Sequence, residues 1–337
     1  MRNPRRTLPL LAAGLLMVVL PPWVAGASPV EQRAEGPVLL ASGLEGGSGS
    51  TIGPDGALYV TEGVAGRLTR IDPETRDTTV VARCLPEGVA PVGGAIDVAF
   101  RDGTPYVLVS MVDPVDAGRS DVAGIYRIDG VDSCTVVADI DTWSVENPPD
   151  AESFLPPGVQ DALEPYRGGF LVTDGQHNRV LFVTLDGAVD EVIQLPDVVP
   201  TGLDVKGATA YLALAVPHRP EGGRVVSFRG TESPVPREVA SGAPWPVDVE
   251  EGCGRRLFVL AQGAFPVGEE AGAPALPRKG QLLASRHGDL RLVADQLDRP
   301  SSLEIFGNSA YVVTLDGDVW RIADVCREHR HDGDRDP

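Results

Sequence analysis

The chain has 337 residues, of which 42% are hydrophobic, 39 are glycine and 30 are proline, and its formal net charge is −19. That length and apolar content can bury one large core or two small ones, while turn residues this frequent exclude an architecture of long helices. The acidic balance excludes nucleic acid and anionic lipid as leading partners.

Residues 1–27 stand apart. Arg2, Arg5 and Arg6 precede an apolar run from Leu8 to Leu20, and Ala25-Gly26-Ala27 offers small residues for cleavage after Ala27. This pattern predicts a secretory signal peptide, with the Arg5-Arg6 pair leaving a twin-arginine route open. Residues 28–36 then form a linker. No later segment is apolar for long enough to span a membrane. The expectation is an extracellular, monomeric protein. Cys84, Cys134, Cys253 and Cys326 all follow the leader, and an even count in an exported chain favours two disulfides.

The elements repeat in chain order. A polar residue opens an apolar pair, a turn follows, and a second apolar pair comes some residues on. Ser50 precedes Tyr59-Val60, Asp97-Val98 precedes Tyr106-Val107, and Asp161-Ala162 precedes Phe170-Leu171. Asp204-Val205 precedes Tyr211-Leu212, Asp248-Val249 precedes Leu257-Phe258, and Glu304-Ile305 precedes Tyr311-Val312. Six such units, roughly 45–60 residues apart, have the period of propeller blades. Third strands read "GRLTRID", "GIYRIDG", "NRVLFVTLDG", "GRVVSFRG", "GQLLASRHG" and "GDVWRI". Fourth strands follow in five units, and the sixth runs into a polar tail over 327–337, expected to be disordered. The run "PVLLASGL" (37–44) supplies the missing strand. The fold class is therefore all-β: a six-bladed β-propeller over 37–326, its ring closed by the N-terminal strand as the outer strand of the last blade. On this plan Cys253 and Cys326 fall on one face of neighbouring blades and pair, leaving Cys84 for Cys134.

"LVTDGQHNRVLFV" resembles the NHL-type repeat, and "GPDGALYVTEG" resembles the blade opening of SMP-30/gluconolactonase propellers. With "GAIDVAF", "VADIDTWSVENPPDAESF" and "YLALAVPHRPEGGRVVSF", the whole is similar to the ScyD/ScyE family of secreted propellers. That resemblance implies the fold and leaves the activity open. After Asn147 the chain departs from the family pattern. The SMP-30 lactonases hold a metal with an axial Glu, Asn and Asp, and that set is not recognisable here.

Two groups of residues are candidates for function. Asp97, Asp161, Asp204, Asp248 and Glu304 open inner strands, and a closed wheel gathers them near its axis. There they hold a divalent cation (Ca²⁺ or Mg²⁺) or, in the preferred reading, tie each strand to the next blade through backbone N–H groups. The second group lies on long loops expected on one face: Trp143, Glu146, Asn147, Asp150, His218, Arg219 and Phe265. His177 and Asn178 sit in a turn and are expected to serve its hydrogen bonds. "GGSGS" (46–50) lacks the last glycine of a nucleophile elbow. The leading functional expectation is a module binding an unknown small molecule or extracellular protein, without an identifiable catalytic set. The alternative is a metal-dependent lactonase or other hydrolase of SMP-30 type.

Overall fold

The computed structural model describes residues 36–89, 93–112, 121–149, 158–217, 219–266 and 275–327. Residues 1–35, Asp150, His218 and residues 328–337 lie outside the described residues.

Alternating apolar residues between glycine-rich turns give short antiparallel strands. Strand β1 (Val38–Ala41) is followed by a first meander, β2 (Gly47–Ile52), β3 (Leu58–Glu62), β4 (Arg67–Ile71) and β5 (Thr78–Ala82). The second is β6 (Gly94–Arg101), β7 (Thr104–Ser110), β8 (Gly124–Gly130) and β9 (Ser133–Asp139). A helix of about two turns, α1 (Ile140–Glu146), leads to β10 (Gln160–Tyr166), β11 (Gly169–Asp174), β12 (Arg179–Thr184) and β13 (Val189–Gln194). The fourth meander is β14 (Val199–Lys206), β15 (Thr209–Ala215), β16 (Gly223–Phe228) and β17 (Arg237–Ala243). The fifth is β18 (Pro246–Glu251), β19 (Leu257–Ala261), β20 (Gly280–Arg286) and β21 (Asp289–Leu297). The chain ends with β22 (Pro300–Phe306), β23 (Ser309–Thr314) and β24 (Val319–Ala323).

The innermost strands form a circuit: β2 packs on β6, β6 on β10, β10 on β14, β14 on β18, β18 on β22, and β22 back on β2. The architecture is an all-β propeller. Strand β1 pairs antiparallel with β24, matching Val38 to Arg321 and Leu39 to Trp320, and so completes the last sheet. Leu40 drives this, because it is buried with Tyr311, Val313 and Val319. Ser50 Oγ and Ser302 Oγ, 2.9 Å apart, join the first and last inner strands at the seam.

Two expectations need correction. The sheets are four of four strands and one of eight, in place of six separate ones. The fourth and fifth meanders merge because their outer strands meet in parallel at Ser241 and Asp289, which covers two otherwise open edges. The segment after Asp139, read as loop, starts as a helix. Asp139 caps it by accepting from Thr142 N at 2.9 Å.

Both disulfides have the expected partners. Cys84–Cys134 ties the end of the first sheet to the second, and Cys253–Cys326 ties the β18–β19 turn to the segment after β24. The second bridge closes 73 residues of chain. Replacing both of its cysteines by serine should lower stability by about 2–4 kcal/mol. Leu40→Ala should cost about 2–5 kcal/mol through the cavity it leaves. Chemical unfolding of both variants checks the closure; wild-type midpoints in both would contradict it.

Candidate functional site at the axis

Strand register decides which inner-strand residues are equivalent. Opposite the second-strand residues Tyr59, Tyr106, Leu171, Tyr211, Phe258 and Tyr311 stand Thr51, Ala99, Glu164, Asp204, Glu250 and Glu304. Asp204 and Glu304 are thus on one level, joined there by Glu164 and Glu250. Asp97 and Asp248 lie two residues earlier on their strands, and Asp161 three residues earlier. The five acids read from the sequence as one ring are divided among levels.

The early acids are held by backbone. Asp97 accepts from Val98 N at 2.8 Å and from Leu163 N of the next inner strand at 2.7 Å. Asp248 repeats this with Val249 N at 2.8 Å and Leu303 N at 2.7 Å. Each carboxylate is wedged against a preceding strand that must be glycine. A Cβ on Gly49 would stand 2.6 Å from Asp97 Cα, and one on Gly202 2.3 Å from Asp248 Cα. The Gly175 N–H donates to Val159 O at 2.8 Å, and a Cβ on Gly175 would stand 2.5 Å from Asp161 Oδ2. Burial pushes all three up: Asp97 well above the usual range with help from Asp248, Asp161 to about 8 with help from Asp174, and Asp248 to about 7.

The Glu164, Asp204, Glu250 and Glu304 level is different. Burial is the main force raising the glutamates well above the ordinary carboxyl range, and their neighbours' charges add to it. Asp204 acts on Glu164, Glu250 and Glu304, and Glu304 acts back on Glu164 across the ring. In their midst lies Lys206. Its ammonium is 3.0 Å from Asp204 Oδ1 and 3.7 Å from Glu250 Oε2, and its charge opposes the rise at Glu164 and Glu304. Asp204 also accepts from Glu251 N at 2.7 Å. Burial still leaves Asp204 raised despite Lys206. Carboxyls that hold protons near neutral pH can both accept and donate them.

A divalent cation does not fit this level. Among the described residues no three metal-ligating side chains converge as a metal site. The position between Asp204 and Glu250 is taken by the Lys206 ammonium, whose charge would repel a second cation.

Among the described residues the loop candidates make separate contacts. Trp143 lies on α1 with Asn147 as its C-cap, and both meet Arg179. The guanidinium sits 4.9 Å from the Trp143 ring centroid, donates to Asn147 O at 2.9 Å and to Ser144 Oγ at 3.0 Å, and pairs with Asp174 at 3.1 Å. His177 Nδ1 meets the same carboxylate at 2.8 Å. Asp174, His177 and Arg179 are buried, so this network anchors α1 on the third sheet. Glu146 is exposed at the helix end, and Arg219 is exposed beside the turn Pro220–Gly222. Phe265 meets the Trp245 ring in a tilted pair, centroids 4.8 Å apart. No hydrogen bond, ion pair or ring contact among the described residues joins Trp143, Arg219 and Phe265.

The sequence reading missed Glu164, Glu250 and Lys206. The signal was partial: the second-strand aromatics Tyr211, Phe258 and Tyr311 face Asp204, Glu250 and Glu304, whereas Phe170 faces Pro165 and Glu164 faces Leu171.

No family model matches the chain, and no curated protein matches it in sequence. Solved structures share its fold. A gluconolactonase from Xanthomonas campestris has a TM-score of 0.58 at 13% identity, covering 85% of this chain and 89% of that one. A calcium-binding protein, regucalcin, from Agrobacterium tumefaciens has 0.55 at 12%, covering 86% and 93%. Virginiamycin B lyase from Staphylococcus aureus has 0.52 at 12%, covering 85% and 98%. These likenesses establish the propeller architecture.

The axial carboxyls set a pH dependence. Each binds its proton more tightly folded than unfolded, so the folded state holds more protons between about pH 4 and the raised values, and stability falls as pH rises through that window. Lys206 is raised as well; its contribution is lost only above its ordinary alkaline range, and does not offset the fall. The melting temperature should drop steadily from about pH 5 to about pH 8.5, and more steeply in Lys206→Met, which leaves the carboxylates without a counter-charge. A flat profile over that range would contradict the raised values.

Proposed function

We propose that this chain is a secreted six-bladed propeller that hydrolyses a small cyclic ester at its axial carboxyls. The six-blade count rests on six inner strands in one circuit, with the eight-stranded sheet counted as two blades that touch at their outer edges. Export is supported by the leader-like residues 1–27 and by the two disulfides. The ScyD/ScyE resemblance is retained as a proposal on the same repeats.

The observation that carries the hydrolase reading is the set of glutamates around Lys206. Burying like charges together is costly, and Glu164 and Glu304 do not repay it through the interblade backbone bonds that hold Asp97 and Asp248. A functional reason for the cost is acid–base work. One glutamate, as carboxylate, takes a proton from water as the water oxygen bonds to the ester carbonyl carbon. The other, protonated, gives its proton to the departing alkoxide as the carbon–oxygen bond breaks. Lys206 stabilises the oxyanion between these steps. Gluconolactonase and lyase structures on the same fold make this reaction class reasonable.

The binding-only reading is favoured by one observation: Lys206 already engages Asp204 and Glu250, which withdraws two carboxyls from chemistry.

The test is a pH-stat assay with glucono-δ-lactone. Turnover above the spontaneous rate is expected, unaffected by EDTA, and reduced at least about 100-fold in Glu164→Gln and Glu304→Gln. Absence of turnover across a panel of lactones would overturn the hydrolase reading in favour of binding. Activity abolished by EDTA and restored by Ca²⁺ would overturn the metal-free arrangement.

A further inference from the structure

We propose that this protein has a second, separate site: a basic cleft on the fifth blade that binds a small molecule carrying two or more phosphate groups. The cleft has a volume of about 840 Å³ and is built from the β18–β19 turn, the β20–β21 hairpin and the residues after β24. Those turns lie at the ends of β18 and β20, opposite the end where the inner strands begin. Five arginines line it among the described residues: Arg255, Arg256, Arg286, Arg291 and Arg327. Asp289 is the one lining carboxylate.

Charge makes this concentration notable. The chain has 29 lysines and arginines against 48 acids, so random placement would mix the signs everywhere. Here cations gather and are incompletely paired. Arg291 has Asp289 at 3.5 Å and Arg327 has Asp324 at 3.3 Å, all in exposed or partly exposed positions where pairs are weak. Arg255 lies beside the Tyr211 hydroxyl, which donates to Glu251 Oε2 at 2.8 Å, and Arg256 lies 5.9 Å over the Phe258 ring. Arg286 is exposed and has no ion pair among the described residues. Like charges held together without partners repel, and an anion relieves that repulsion.

Arginine forks match the oxygens of phosphate in bidentate pairs. One phosphate cannot engage five guanidinium groups, and several linked phosphates can. The volume is that of a small-ligand pocket. The wall is stiffened by Cys253–Cys326, and Leu292, 53% exposed, adds an apolar surface for the body of an organic phosphate. The acidic remainder of the protein repels polyanions, so binding there needs a local site.

The experiment is titration calorimetry on the full mature protein at low salt, with inorganic tripolyphosphate, orthophosphate and citrate as probes. Tripolyphosphate should bind at least tenfold more tightly than either of the others, and the affinity should fall as salt rises. Arg286→Glu combined with Arg255→Glu should weaken it at least tenfold, as should the milder Arg286→Gln with Arg327→Gln, which keeps folding separable from binding. Arg219→Glu, elsewhere on the surface, should change nothing. Absence of tripolyphosphate binding, or binding undiminished in a folded cleft variant, would overturn the site. Citrate binding as tightly as tripolyphosphate would overturn its assignment to phosphates. Neither result bears on lactone turnover at the axis.

Discussion

Closure of the inner strands into a circuit is the constraint on which the other features depend. With β1 completing the last sheet and Ser50 meeting Ser302 at the seam, β2 and β22 are held side by side. Residues distant in sequence then face a common axis. Glu164 and Glu304 come from inner strands far apart in sequence, and the charge of Glu304 still raises the proton affinity of Glu164. An open sheet would leave both in solvent with ordinary acidity. The same closure demands glycine at positions 49 and 202, where one strand's backbone lies against the next strand's aspartate.

The acids near the axis do two kinds of work. Asp97 and Asp248 are structural: each cross-links its strand to the next through backbone N–H groups, the arrangement that lets a buried carboxylate persist. Glu164, Glu250 and Glu304 lack that repayment; of the three, Glu250 reaches Lys206, at 3.7 Å, and the charge of Lys206 acts on the other two. Electrostatic repulsion among them is moderated by one ammonium and by retained protons. At the opposite charge extreme, the fifth meander gathers arginines in a cleft on an otherwise acidic molecule. Rigid blades can sustain both extremes because disulfides and close-packed sheets prevent the surface from relaxing to neutralise them.

Much of the fold was legible in the sequence because it depends on local pattern. Alternation and turn residues located the strands, and the missing outer strand after "GDVWRI" pointed to "PVLLASGL". The disulfide partners followed from strand position. The candidate site was less legible for a geometric reason. Bulges early in the inner strands, such as that between Gln160 and Leu163, shift the count between a strand's first acid and its level on the axis. Asp161 therefore does not share a level with Glu304, and Glu164 does. The loop residues were less legible for another reason: the buried Arg179 holds Trp143 against the third sheet. Contact between Arg179 and a helix many residues earlier leaves no periodic trace. The eight-stranded sheet also escaped, since it rests on a single parallel pairing, Ser241 with Asp289.

The central claim is that the axial glutamates bind their protons more tightly than ordinary carboxyls. Carbon-13 NMR of protein labelled at glutamate side-chain carboxyls reads it directly. The account predicts that Glu164, Glu250 and Glu304, assigned through their Gln variants, titrate well above the remaining glutamates, and that Lys206→Met moves them higher still. Titration of all three in the ordinary carboxyl range would contradict it.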